Sequence, residues 1–167
     1  SKERYANKRV AVVGGGHSAI NSLLQLVSLK EAYPQTEITW ILRKNHVEDA
    51  LGGGTSDELA ARGELGLKMK TIISEKQIHV ETPFSIQSIL EKEHGLFLKG
   101  ADKKIGPFDE LIVNTGSRPD FSFHQELRYA VDPLTEAVPA IASLIDPNLH
   151  SCGTVPAHGE KELRQRE

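Results

Sequence analysis

The hydrophobic residues of the first part of the chain alternate between short runs and a helical repeat. Val10–Val13 is a continuous apolar run of the kind that forms a buried parallel strand. A helical repeat follows and predicts a helix over about Ser18–Ala32, which Pro34 ends. Glu37–Leu42, rich in β-branched and aromatic residues, predicts a second parallel strand and thus a right-handed βαβ unit. The apolar positions of the helix are Ile20, Leu23, Leu24, Leu26 and Val27.

The pattern farther along the chain consists of shorter pieces separated by turns. Phe84–Leu90, Leu96–Lys99 and Lys104–Phe108 predict a small antiparallel meander, with Glu93–Gly95 as one of its turns. Glu110–Asn114 is again an apolar strand and predicts a return to the parallel sheet. The chain is therefore predicted to be an α/β protein: a Rossmann-like parallel sheet with helices on both faces and a small antiparallel β-meander.

Two stretches lack this regularity. Leu51–Asp57 holds three consecutive glycines and predicts a mobile loop, before a helix-like run over Leu65–Ser74. Beyond Asp120 several prolines break the pattern, and the charged end is predicted to fray. We therefore predict one domain over residues 1–120, followed by an irregular C-terminal segment over residues 121–167.

Composition narrows the class of protein. The 167 residues, 38% hydrophobic and 26% charged, fit a soluble domain with a core of its own. A formal net charge of −3 argues against nucleic acid or an anionic membrane as a partner, and no apolar run is long enough to span a bilayer. Cys152 is the only cysteine, so an internal disulfide is excluded, which fits the reducing cytoplasm.

The turn between the first strand and the first helix carries the candidate chemistry. Its spacing is G-x-G-x-x-A, directly after a strand and before a helix, which is the context of a dinucleotide-binding turn. Gly14 allows a tight turn, Gly16 lets the backbone approach a diphosphate, and Ala19 lets the helix pack closely on the strand. Backbone N–H groups at the start of the helix would face the phosphates. The candidate residues are Gly14, Gly15, Gly16, His17, Ser18 and Ala19.

Arg43 and Lys44 lie at the carboxyl end of the second strand. NAD-binding domains usually carry an acidic residue there, which accepts hydrogen bonds from the ribose 2′-hydroxyl, whereas NADP requires positive charge for its 2′-phosphate. The basic pair therefore favours NADP(H). NAD(H) stays open as an alternative, as does a solvated surface pair with no ligand.

Joined to Thr115–Asp120, which reads T-G-S-R-P-D, the glycine turn resembles the pyridine-nucleotide domain of two-dinucleotide flavoproteins, the thioredoxin-reductase-like enzymes and the flavin-dependent monooxygenases. The resemblance covers roughly residues 9–120. It implies a nicotinamide domain inserted into a FAD domain, with Thr115 and Gly116 beside the nicotinamide. It also implies that Leu149–Val155 corresponds to a segment that touches FAD, although Thr154 stands where that family usually has Asp.

The chain also departs from this family in what it lacks. No second glycine turn precedes Arg9, and the residues after Thr154 are too few to complete a FAD fold. We therefore expect an excised piece of a longer enzyme, or a degenerate stand-alone relative, that binds FAD poorly or not at all. FAD and its domain would belong to the parent enzyme, and apolar surface left uncovered would favour a homodimer.

The remaining candidates are weaker. His150, Cys152 and His158 have no closed zinc spacing, so no metal site is predicted. Arg62 and His46 are interpreted as surface residues, and no catalytic residue is predicted.

The function that the resemblance implies is binding of NADP(H), with the nicotinamide presented for hydride transfer to FAD. Two alternatives stay open: a non-catalytic nucleotide-binding or interaction module with the same fold, and a glycine turn that holds FAD itself.

Overall fold

A computed structural model describes residues 2–51, 60–124, 126 and 128–146, with the side chains of all of these except residues 60–63. The chain divides into two compact units, Ser1–Leu51 with Glu64–Gly116 and Gly52–Gly63 with Ser117–Glu167. The strands of the described residues are β1 (Arg9–Val13), β2 (Glu37–Ile41), β3 (His79–Glu81), β4 (Ser88–Lys92), β5 (Gly95–Lys99), β6 (Lys104–Phe108) and β7 (Glu110–Val113). The α-helices are α1 (His17–Ala32), α2 (Glu48–Leu51), α3 (Ala60–Ser74) and α4 (Pro139–Ile145).

The first unit contains a four-stranded parallel sheet in the order β3-β2-β1-β7. The register aligns Val13 at the end of β1 with Ile41 of β2 and Val113 of β7. The carboxyl ends of these three strands therefore lie at one edge of the sheet. The first strand pair is joined through α1, as the predicted βαβ unit requires.

Each face of the parallel sheet is covered by a different kind of element, because alternate side chains of β1 point to opposite faces. Val10 and Val12 lie in a buried cluster with residues of α1 and α3, and Ala11 lies in a second cluster with residues of the meander. The largest members of the first cluster include Leu23, Trp40 and Met69, and those of the second include Phe84, Leu98 and Phe108.

The meander is the antiparallel sheet β4-β5-β6. The predicted Rossmann-like α/β fold with a parallel sheet, helices and a small antiparallel meander is thus confirmed. The predicted placement of helices on both faces is not what the described residues show: α1 and α3 share one face of the parallel sheet, and the meander covers the other, because its aromatic and leucine side chains supply the apolar surface there.

Most predicted elements lie close to the observed ones whether they are long or short, but α3 begins at Ala60, five residues before its predicted start at Leu65. α1, β2 and β7 begin and end within one residue of their predicted bounds. β3 was not predicted, because its three residues include two polar ones and none is fully buried. β4 begins only at Ser88, and Phe84 contributes to the core from outside a strand. The loop predicted over Leu51–Asp57 lies, after Leu51, outside the described residues.

The described residues of the second unit include the first four residues of α3, a 3₁₀ helix over Ser122–His124 and the short helix α4. The Asp132 carboxylate accepts the backbone N–H of Thr135 at 2.7 Å, and Arg118 pairs with Glu136 at 2.8 Å. In the part of the chain that the structure describes, no helix has both the length and the apolar character needed to cross a membrane.

Candidate functional site

Gly14 contacts β2 and the residue that follows β7. Its φ is +132°, a backbone conformation that favours glycine, and a Cβ here would lie 2.1 Å from the Asn114 carbonyl oxygen. Its N–H donates to the Ile41 carbonyl at 3.2 Å, and its own carbonyl accepts the indole N–H of Trp40 at 2.7 Å. The fold itself therefore requires glycine at this position.

Gly15 and Gly16 are less confined. A Cβ at Gly15 would come within 3.4 Å of Ala50 and Leu42, whereas one at Gly16 would meet no atom of the described residues within 4 Å. The φ of Gly16 is −94°, which any residue can adopt. The fold does not require glycine at Gly16, so the space beside its Cα is open to a ligand.

The first turn of α1 offers N–H donors at this open space. Gly16 is the N-cap residue, and no described side chain caps the helix. The first N–H groups of a helix have no intrahelical acceptor. Among the residues that the structure describes, no acceptor is found for the backbone N–H of Gly15 or Ser18. An anion at this position would accept hydrogen bonds from these donors and would be stabilised by the positive end of the helix dipole.

The other members of the turn lie where the G-x-G-x-x-A spacing predicts. Ala19 is fully buried, and its Cβ lies 3.5 Å from the place where a Cβ of Gly14 would be. Its small side chain therefore permits the close packing of α1 on β1. His17 and Ser18 are exposed at the start of the helix. The Ser22 hydroxyl donates to the Ser18 carbonyl at 2.9 Å and also lies 3.2 Å from Asn114 Oδ1.

The structure brings Arg43 and Lys44 to the same edge of the sheet. They follow β2 after the buried Leu42, and both are exposed. The Lys44 ammonium donates to the Asp49 carbonyl at 2.9 Å, which ties it to the start of α2. Within the described residues Arg43 has no ion-pair or hydrogen-bond partner. Of the two cations, the guanidinium is therefore the one available to a ligand.

Thr115 and Gly116 also lie at this edge, just after β7. The backbone N–H of Asn114 donates to the Val13 carbonyl at 2.8 Å, which holds the chain beside the glycine turn. Thr115 is exposed, and Gly116 has a φ of +93° with nothing within 4 Å of a Cβ. Glycine at 116 is thus required by backbone conformation and not by crowding.

The opposite edge of the sheet holds an ionic cluster that the sequence analysis did not identify. Glu110 accepts hydrogen bonds from Arg4 at 2.7 Å and from Lys8 at 3.1 Å, and the bond from Arg4 is the main reason that the pKa of Glu110 is lowered. Arg9 donates to Asp109 at 3.0 Å and lowers the pKa of that carboxyl from 3.8 to about 2. An open cleft of about 1060 Å³ lies here, and these charged residues line it.

Several sequence candidates cannot be placed. His150, Cys152, His158 and the segment Leu149–Val155 lie outside the described residues, as does the side chain of Arg62. Elsewhere in the described part of the chain, no group of three or more His, Cys, Asp or Glu residues has the geometry of a metal site.

Comparison with known proteins shows which solved structures share this fold. The chain matches no protein-family model and no curated protein sequence. Its fold matches the bacillithiol disulfide reductase of Bacillus cereus, with a TM-score of 0.62, 18% identity, 81% of this chain covered and 37% of that one. It also matches an engineered water-forming NADPH oxidase bound to NADPH (TM-score 0.51, 18% identity, 77% and 25% covered). A third match is the flavoprotein disulfide reductase induced by HOCl in Escherichia coli (0.50, 15%, 75% and 25%).

The chain shares its fold with part of these oxidoreductases. The fold that the glycine turn and the T-G-S-R-P-D segment implied is therefore confirmed. The chain spans less than two fifths of each of the three solved chains. At identities of 18% and below, the likeness concerns the fold alone.

Proposed function

We propose that this chain is the nicotinamide-dinucleotide-binding domain of a flavin-dependent oxidoreductase and that its coenzyme is NADP(H). One juxtaposition carries the proposal. The open turn at Gly16, whose Gly15 and Ser18 N–H groups have no acceptor among the described residues, lies at the same sheet edge as the exposed guanidinium of Arg43. Ligands of open α/β sheets bind beyond the carboxyl ends of the strands, and this edge is formed by those ends.

The proposed roles follow from the chemistry of each group. The N–H donors of the turn and the start of α1 bind the diphosphate. Arg43 binds the 2′-phosphate of the adenosine through its planar donor fork, and Lys44, held by the Asp49 carbonyl, adds positive charge nearby. Thr115 and Gly116 lie beside the nicotinamide. In this assignment basic side chains lie at the 2′ position of the ribose. Recognition of NAD(H) would use an acidic residue there.

The part of this chain in catalysis is to bind and orient the coenzyme. Bound NADPH would supply a hydride for reduction of a flavin, and that chemistry would belong to the two cofactors. FAD is assigned to the remainder of a longer parent enzyme. The support for this assignment is the shared fold with a named flavoprotein reductase and the small share of that protein that the chain covers.

Calorimetric titration of the 167-residue chain with NADPH, NADH and FAD tests the proposal. We expect NADPH to bind more tightly than NADH. Arg43→Ala combined with Lys44→Ala should weaken NADPH binding roughly 10- to 100-fold and leave NADH binding nearly unchanged, because only NADPH carries the 2′-phosphate. The matched control, Arg4→Ala with Lys8→Ala, removes the same charge at the opposite edge and should keep the preference for NADPH.

Two outcomes would contradict the proposal. Failure of the wild-type chain to bind either nicotinamide would favour an interaction module that keeps only the fold. A yellow purified chain whose FAD is displaced by changes at Gly16 would assign the turn to FAD instead.

A further inference from the structure

Trp40 contacts the glycine turn although it is not exposed to any ligand. It is the only tryptophan of the chain, it is fully buried in β2, and its indole nitrogen lies 2.7 Å from the Gly14 carbonyl oxygen. A buried indole N–H usually finds an acceptor. Here the acceptor is the backbone of the turn to which we assign diphosphate binding.

The peptide that joins Gly14 to Gly15 transmits this contact. In a planar trans peptide the carbonyl oxygen and the following N–H point in opposite directions. With the Gly14 carbonyl directed at Trp40, the Gly15 N–H is directed away from the indole. Within the described residues this N–H has no acceptor.

The other contacts of Gly14 do not fix this peptide. The hydrogen bond from the Gly14 N–H to the Ile41 carbonyl restrains the preceding peptide, and the Asn114 backbone limits the space at Cα. A glycine at φ +132° has wide freedom at ψ, so the peptide that follows could rotate. Among the described residues, the indole N–H of Trp40 is the group that hydrogen-bonds directly to this peptide.

We propose that Trp40 is a positioning residue for coenzyme binding: its indole N–H holds the Gly14 carbonyl so that the Gly15 N–H is presented to the diphosphate. The proposal rests on the function assigned above. It distinguishes Trp40 from an ordinary core residue, because loss of this one hydrogen bond should lower affinity only for ligands that carry a diphosphate.

The test replaces Trp40 in the 167-residue chain with 3-benzothienylalanine, a tryptophan isostere in which sulfur replaces the N–H group. Calorimetry then measures binding of NADPH, NADH and adenosine 2′-monophosphate, which has the 2′-phosphate but no diphosphate. We expect NADPH and NADH to bind roughly 5- to 30-fold more weakly, because the Gly14–Gly15 peptide is no longer held and the Gly15 N–H is no longer oriented toward the diphosphate before binding. Binding of adenosine 2′-monophosphate should not change.

The control is Met69→Ala, which removes a fully buried side chain from the same core cluster. It should lower the unfolding midpoint and leave NADPH affinity within about twofold of wild type, since Met69 has no assigned contact with the turn. An equal loss of affinity in Met69→Ala and in the isostere protein would overturn the proposal, as would unchanged NADPH binding in the isostere protein.

Wild-type binding separates this proposal from the assigned function. If the wild-type chain binds neither nicotinamide, both are overturned. If it binds NADPH but the isostere changes nothing, only the role of Trp40 is overturned. Should the isostere protein fail to fold, the ¹⁵N spectrum of the wild-type chain carries the test. The Trp40 indole and Gly15 amide resonances should move together on addition of NADPH, and a Gly15 amide that does not respond would contradict the proposal.

Discussion

The two edges of the parallel sheet use their polar groups in opposite ways. At the amino edge the cations pair with carboxylates, as Arg9 does with Asp109. At the carboxyl edge, within the described residues, the Arg43 guanidinium has no partner and the Gly15 N–H has no acceptor. The first arrangement joins the start of β1 to the residues around β7, whereas the second leaves donors available to a ligand.

This difference shows why cavity size is a poor guide to the site in this molecule. The large cleft, about 1060 Å³, lies at the amino edge, where Arg4 and Lys8 already pair with Glu110 and Arg9 pairs with Asp109. A ligand there would have to replace existing ion pairs, so little free energy is gained. A ligand at the carboxyl edge would accept hydrogen bonds from donors that have no partner among the described residues, so its binding displaces water from them and breaks no ion pair.

The largest effect is expected at Gly14, where the fold and the site coincide. Gly14→Ala would place a Cβ 2.1 Å from the Asn114 carbonyl oxygen at a φ of +132°. Because neither the backbone of β7 nor this φ can adapt cheaply, we expect the free energy of unfolding to fall by about 3 kcal/mol or more. Urea denaturation measures it. A variant with wild-type stability would mean that the turn differs from the one described.

A substitution two residues later separates the site from the fold. Gly16→Ala adds a Cβ that meets no atom of the described residues within 4 Å, so the free energy of unfolding should stay within about 1 kcal/mol of wild type. The same methyl group would occupy the space that we assign to the diphosphate, and NADPH affinity should fall roughly 10-fold or more. Calorimetry beside denaturation of the same variant measures both. Unchanged affinity would break the comparison, because the open space would then have no ligand.

The smallest effect concerns the amino edge and is a change of stability with pH. The pKa of Asp109 is lowered from 3.8 to about 2, chiefly by the hydrogen bond from Arg9. A lowered folded-state pKa adds stability above the unfolded-state pKa, and this is lost as pH falls toward the folded-state value. The difference in unfolding free energy between wild type and Asp109→Asn should therefore be constant near neutral pH and shrink between pH 3.8 and about 2.

Urea denaturation across that pH range measures the difference, and NADPH titration of Asp109→Asn near neutral pH completes the experiment. We expect coenzyme affinity to match wild type, because Asp109 lies at the edge without assigned ligand contacts. A difference in unfolding free energy that does not change with pH would mean that the charge of the Asp109 carboxylate does not contribute to stability. Weakened coenzyme binding would place the ligand nearer the amino edge than we propose.

Elements with a clear hydrophobic pattern could be predicted whether they are long or short. The helical repeat from Ile20 to Val27 and the runs that became β2 and β7 led to bounds correct within one residue. β3 was not predicted because it has only three residues, two of them polar, and shows no hydrophobic repeat. The pairing of Arg9 with Asp109 escaped as well, since a hundred residues separate them and only the sheet brings them together.

The sequence by itself determined the class of fold and the location of the turn, because hydrophobic period and glycine spacing are local properties of the chain. Tertiary structure alone decided which glycine the fold needs and which one is open. It also decided that the Lys44 ammonium is held by a backbone carbonyl while Arg43 has no partner among the described residues, and that the lone tryptophan reaches the turn. These outcomes depend on strand register and on atoms distant in sequence, which no local pattern encodes.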